Sequence, residues 1–276
     1  MKRIDRYSDL VDLYMIPTYK SSKVIKEKIK QLIPDYDWTE DEKGNMYGSH
    51  KDSTSGVVLS AHLDMVKTGK DIANVVNVNS ILFGVDKDWK LTSLGADDKN
   101  GIWCIVQASK HKSKPHIVLF EEEETGRVGS LNCNGDWFND KDCCIVIDRK
   151  GNREIIIQGY RGQYTSMLGA CFQSVNPHWK FETGMGCDAD SIKDIIDCIN
   201  ISCGYYSAHT ADEYTNLIEL EETLKAINNF LDHDWSALPW ENIKNQHLFL
   251  YGNKQNKCHG NQTEETEELC FDWPLM

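Results

Sequence analysis

Short apolar runs recur along this chain and lead into carboxylates or imidazoles at five places. Runs of five or six apolar residues bounded by turn signals read as buried strands, and ligands in open α/β sheets gather beyond the carboxyl ends of such strands. The first place is Ser60-Ala-His62-Leu-Asp64, after the strand predicted over Gly56–Ala61. The second is Leu94-Gly-Ala-Asp97-Asp98-Lys-Asn-Gly101, an acidic turn that opens a helix predicted over Asp98–Lys112. Its small residues allow close approach of the backbone to an ion. Glu121–Glu124 follows the strand expected at His116–Phe120, Asp148 follows the one expected at Cys143–Ile147, and His209 follows Tyr205-Tyr206-Ser-Ala.

Between these runs the spacing turns helical. Apolar positions predict helices over 5–15 and 18–33, a short one over Gly126–Cys133, one over Asp188–Cys198 and a long amphipathic one over Glu213–Leu231. Further strands are expected as a pair in Asp35–Gly48 turning at Lys43-Gly44-Asn45, a hairpin in Ile72–Leu91, and single strands at Arg153–Gln158 and Ile199–Cys203. Alternating strands and helices predict an α/β fold with a mixed, mostly parallel central sheet. The organisation expected is one catalytic-sized domain over 1–250 and a polar tail over 251–276 with an apolar end.

Forty per cent hydrophobic residues suffice for a core, and the formal charge of −13 repels phosphate backbones and anionic lipid. Nucleic acid and membrane are therefore not expected partners. No stretch approaches the roughly 20 apolar residues of a membrane span, and the first residues lack a signal-peptide run, so a cytoplasmic protein is expected. Its ten cysteines scatter through apolar segments without a CxxC pair, as reduced core thiols do. Cys258-His259 and Cys270 stand as a weaker metal candidate in the tail.

Two imidazoles with Asp and Glu carboxylates at strand ends are the nitrogen and oxygen donors that Zn²⁺ accepts. Residues two apart in an extended chain point to one side, so Asp64 is placed to orient His62. Asp98 is expected to cap the helix that follows it.

The motifs His62-Leu63-Asp64, Gly95-Ala96-Asp97-Asp98-Lys99-Asn100-Gly101, Glu123-Glu124-Thr125-Gly126 with Gly129-Ser130, Asp148, and His209 before Asp212-Glu213-Tyr214 occur in one order. Together they resemble the di-zinc exopeptidases, which include peptidase T, carboxypeptidase G and the single-domain zinc leucyl aminopeptidases. The resemblance spans about residues 5–232. It implies a three-layer zinc-exopeptidase sandwich, phosphorylase/hydrolase-like. It implies two zinc ions, with cobalt or manganese as alternatives: His62 and Asp148 on one, Glu124 and His209 on the other, Asp97 bridging. It further implies Glu123 as general base, with Glu122 the alternative register, Asp64 as the residue orienting His62, and a cis peptide at Asp97-Asp98. Asp148 and His209 lie only 61 positions apart, too few for the lid and dimerisation domain of some relatives, so a monomer or a lid-independent oligomer is implied.

The leading functional expectation is an aminopeptidase on short peptides, with Glu122 or Asp188 as candidates for the substrate ammonium. A carboxypeptidase or N-acyl amino acid deacylase is the alternative, with Arg149, Arg153 or Arg161 binding a substrate carboxylate in a bidentate fork. A non-catalytic metal-binding relative or a one-metal acyl transferase remains a different class. Tyr205 and Tyr206 are candidates for substrate contact against a reading as packed aromatics. Trp103, Trp235 and Trp240 read as core. The stretch Gly184, Gly186 and Cys187-Asp188-Ala189-Asp190 resembles a loop that lines the specificity pocket in relatives.

Overall fold

The period-2 alternation of the apolar runs is what builds the layers, because successive side chains of a strand leave opposite faces of a sheet. A computed structural model describes residues 7–159, 162–163 and 166–235. In chain order the elements are α1 (Ser8–Tyr14), α2 (Lys23–Leu32), β1 (Asp37–Glu40), β2 (Met46–Ser49), β3 (Val57–His62), β4 (Asn74–Val78), β5 (Ile81–Val85), β6 (Leu91–Thr92), α3 (Ala96–Ala108), β7 (His116–Phe120) and α4 (Val128–Leu131). There follow β8 (Cys143–Arg149), β9 (Glu154–Gly159), β10 (Gly162–Gln163), α5 (Ser166–Val175), β11 (Lys180–Thr183), α6 (Asp188–Ile192), β12 (Asp197–Ser202), β13 (Tyr205–Tyr206), β14 (Tyr214–Asn216) and α7 (Leu217–Leu231).

Nine strands form the main sheet in the order β1-β2-β7-β3-β8-β12-β9-β10, with β11 beside β9. Its centre, β7-β3-β8-β12, is parallel, and antiparallel pairs flank it on both sides. Val57, Leu59 and Ala61 of β3 and Cys143, Ile145 and Ile147 of β8 enter the larger core under α1, α3 and α7. Val58, Cys144 and Val146 face the smaller core, where α6 supplies Ala189 and Ile192. The result is the α/β/α layering expected, with helices covering both faces of a sheet too apolar to meet water. The thiols described are all free, and most are buried.

A second, five-stranded antiparallel sheet joins β4, β5 and β6 to β14 and β13. The hairpin at 72–91 was expected; its pairing with a strand more than 100 positions on was not. The helix expected over 188–198 ends at Ile192, and β12 begins at Asp197. Ile192, Ile195, Ile196, Cys198 and Ile199 satisfy both a 3.6 and a mixed strand spacing, so pattern alone does not place the boundary. The stretch between Asp148 and His209 supplies β9 to β13, α5 and α6, all but β13 serving the main sheet and its faces. The tail over 251–276, with Cys258, His259 and Cys270, lies outside the described residues.

His116 opens β7 with its Nδ1 2.9 Å from the Ser49 hydroxyl and its ring edge-on to Trp137. Burial and then the Lys141 ammonium push its pKa down from 6.5 to about 4. The unfolded chain therefore takes up this proton first, and stability is lost as pH falls from about 6.5 to about 4. We expect the wild type to lose more Tm than His116→Gln between pH 7.5 and 5; equal losses would exclude His116 as a contributor.

Candidate metal centre

His62 is the last residue of β3, and the parallel neighbours β7 and β8 end beside it in Glu121–Glu124 and Asp148. Asp97 enters from the first turn of α3, which packs across β3 and β8. His209 comes from the turn between β13 and β14, with a backbone φ of 63°. All five side chains converge at the carboxyl end of the parallel strands, where the topology leaves an open crevice.

The convergence has two halves that share one residue. His62 Nε2 is 3.0 Å from Asp97 Oδ1 and 3.7 Å from Asp148 Oδ1. His209 Nε2 is 2.8 Å from Glu124 Oε1 and 3.4 Å from Asp97 Oδ2. Each imidazole thus meets its own carboxylate, and each oxygen of Asp97 faces a different imidazole. Potential ligand atoms of His62, Asp97 and Glu124 lie within 4.8 Å of one another, as do those of His62, Asp98 and Asp148. The cis peptide at Asp97-Asp98 is present.

The charge balance suits a cation. Burial, then the charge of neighbouring carboxylates, drives Asp148 upward, and burial raises Glu124 to about 7 and Glu123 in the same direction. Burial opposes charge on His62, yet Asp64 and Asp97 outweigh it and raise its pKa. His209 is raised to about 9, chiefly by its hydrogen bond to Asp97. Carboxylates crowded beyond what two imidazoles neutralise, in a nitrogen-and-oxygen donor set, fit one or more divalent ions.

The surrounding residues fix these donors. His62 Nδ1 is 3.1 Å from the Asp64 backbone oxygen and 3.4 Å from its carboxylate, the arrangement that orients a metal-binding imidazole. Asp64 also accepts the backbone N–H groups of Glu123 at 3.0 Å and Glu124 at 3.1 Å. Sequence reading missed that second task, because a carboxylate's reach to distant amides leaves no pattern in the chain. Asp98 accepts the Gly101 N–H at 3.1 Å, the helix-start role expected of it, and also the His62 N–H at 3.2 Å. The Tyr205 hydroxyl donates to Asp148 Oδ1 at 3.4 Å. Glu213, four residues beyond His209, accepts backbone N–H groups at Gly95 and Asp97. Its place in a matching motif was the sole signal for it.

Other candidates stand elsewhere. Asp188 is fully buried and is not among the residues that line the cavity of Asp97, Glu123 and Asp148; burial, then Glu123, push it up to about 8. The residues before it, Gly184, Met185, Gly186 and Cys187, do form a wall of that cavity. Glu122 is exposed and borders a separate cleft. Arg149 lines the site cavity while bound to Glu154 at 2.8 Å, and Arg153 is held in a fork by Glu222. Tyr206 donates to Glu219 and stacks on Tyr214. Trp103 is core and Trp235 packs on Phe230. Arg161 and Trp240 lie outside the described residues.

Neither a protein-family model nor a curated protein sequence matches the chain. Solved structures do match its fold. Aminopeptidase PepT from Bacillus cereus superposes with a TM-score of 0.70 at 14% identity, over 82% of this chain and 98% of that one. A tripeptidase from Staphylococcus aureus gives 0.66 at 14% identity, over 81% and 96%. The TET1 peptidase of Pyrococcus horikoshii, which assembles into a tetrahedron or a large octahedral shell, gives 0.60 at 15% identity, over 80% and 98%. The chain shares the fold of these peptidase structures. No helix among the described residues is long and apolar enough to cross a membrane.

Proposed function

We propose that this protein is a metal-dependent exopeptidase, and specifically an aminopeptidase that removes N-terminal residues from short peptides through a two-zinc site. The observation that carries this reading is Asp97, whose two oxygens face His62 at 3.0 Å and His209 at 3.4 Å, each imidazole beside a further carboxylate. In it His62 and Asp148 would hold one ion and Glu124 and His209 the other, with Asp97 available to both. Cobalt or manganese suits the same donors. When bound, such ions polarise a scissile carbonyl and lower the pKa of an attacking water. Glu123 would accept a proton from the water that attacks the carbonyl and return it to the leaving amine nitrogen as the C–N bond breaks. Asp64 holds both the His62 ring and the backbone of Glu123, so base and ligand move together.

Two cavities support a peptide as substrate. One of about 370 Å³ is lined by Asp97, Glu123 and Asp148, and a cleft of about 930 Å³ shares Glu124 with it. Their combined space suits a substrate larger than a single amino acid. Arg149 and Lys150 on the wall of the smaller cavity favour, as a second reading, a substrate with a free carboxylate there.

The test compares a leucyl anilide with a free amine against its N-acetylated twin, before and after chelation and with zinc restored. Turnover of the free-amine substrate alone, abolished by chelation, is expected. Turnover only of acyl amino acids and dipeptides with a free carboxylate moves the assignment to the second reading, and turnover of the acetylated twin, which has neither free terminus, overturns both. Tight metal binding without turnover of any of these leaves a binding protein.

A further inference from the structure

The two halves of the site are not held alike. His62 and Asp148 sit on adjacent parallel strands of the main sheet. His209 sits on a turn outside that sheet, with its side chain 48% exposed. Something must set its distance from Asp97, which lies 112 positions earlier in the chain.

Glu213 connects the two segments. It is 2% exposed, and it directly follows the turn that carries His209, its N–H reaching the Thr210 carbonyl at 3.4 Å. On its other side β14 starts at Tyr214 and is locked antiparallel to β5. From this fixed point its Oε2 accepts the Gly95 N–H at 2.6 Å and its Oε1 accepts the Asp97 N–H at 3.3 Å. Those amides open α3, whose Gly95 has φ 64° and no side chain of its own to cap the helix. A carboxylate at such a start is stabilised by unpaired amides and the helix dipole. The bond therefore ties the His209 turn to the backbone of the bridging aspartate.

We propose that Glu213 is a positioning residue that sets the separation of Asp97 and His209, and so governs occupancy of the second ion site more than the first. This rests on the two-ion reading above. A residue acting only as a helix cap would weaken both sites together, whereas a spacer acts on the ratio of the two affinities. In Glu213→Gln one acceptor oxygen becomes an NH₂ donor facing a backbone N–H, while size and burial are kept.

The experiment is a calorimetric zinc titration of the full chain, wild type and Glu213→Gln, with Tm of both metal-free forms. We expect the weaker Kd to rise about ten- to a hundredfold, the range seen when a residue supporting a metal ligand is removed, and the tighter Kd to move less than about threefold. An equal rise in both, or no rise in either, overturns the proposal. Binding of fewer than two ions by the wild type overturns the two-ion reading and this inference with it. If Glu213→Gln does not fold, amide exchange in the wild type serves instead. Exchange at Gly95, Ala96 and Asp97 should slow on the second equivalent of zinc and not on the first, and slowing complete at the first equivalent overturns the proposal.

Discussion

Glu123→Gln is expected to keep its bound metal and to lose about a hundredfold to ten-thousandfold in kcat, the span attributed to a positioned general base. The amide preserves the volume and the backbone N–H that donates to Asp64, so the geometry of the loop should survive. What it removes is an oxygen able to accept a proton. The neighbouring carboxylates differ in position: Glu123 lines the cavity with Asp97 and Asp148, Glu124 faces His209, and Glu122 lies exposed in a left-handed backbone conformation, φ 53°, at the edge of the larger cleft. Glu122→Gln should therefore leave kcat within about threefold of wild type, well below the loss expected of a base. Steady-state rates on the free-amine anilide, read beside metal content, check both. If Glu122→Gln is the silent enzyme and Glu123→Gln the active one, the base sits one residue earlier. If Glu123→Gln loses metal along with activity, it is a ligand and not a base.

The frame of the site was legible because strand ends are written in the sequence. Val57–His62 and Cys143–Arg149 are apolar runs that stop on His62 and just past Asp148, and parallel pairing alone brings those ends together. Local chemistry was legible too, as in Asp98 accepting the Gly101 amide three residues on. What the sequence hid is non-local and backbone-directed. Asp64 reaches the amides of Glu123 and Glu124 nearly 60 positions away, and Glu213 those of Gly95 and Asp97. A backbone N–H has no residue identity, so nothing in the chain marks which one a distant carboxylate will find. Lys180–Thr183 was unread for another reason: all four residues are exposed on the sheet's margin, so no alternation betrays the strand. The burial of Asp188 at the start of α6 was likewise unwritten, since an acidic residue in a glycine-rich loop carries no mark of turning inward.

Gly101→Ala is expected to destabilise the metal-free protein by about 3 kcal/mol, the upper part of the range for overpacking a filled interior, which for a domain this size lowers Tm by roughly 6–12 °C. The backbone of Gly101 is ordinary helix, so conformational freedom is not the reason. Space is the reason. A Cβ there would stand 2.2 Å from the Ile147 carbonyl oxygen and 2.5 and 2.7 Å from the two oxygens of Asp98. The first is backbone of β8 and cannot rotate away, so α3 must lift from the sheet. The second is the carboxylate that holds the His62 N–H. Lifting α3 moves Asp97 at its start, and pressing on Ile147 moves Asp148 beside it, so loss of zinc affinity should accompany the loss of Tm. Gly135→Ala supplies the contrast, because its Cβ would meet only Ile195 carbons at 3.8 and 3.9 Å. That variant should melt within about 2 °C of wild type, as substitutions free of steric conflict usually do. Thermal melts of the three metal-free proteins, followed by zinc titration, separate the outcomes. A Gly101→Ala protein with wild-type Tm would mean that α3 rides on β8 with slack. The close approach of that helix would then not be what delivers Asp97 to the end of the sheet.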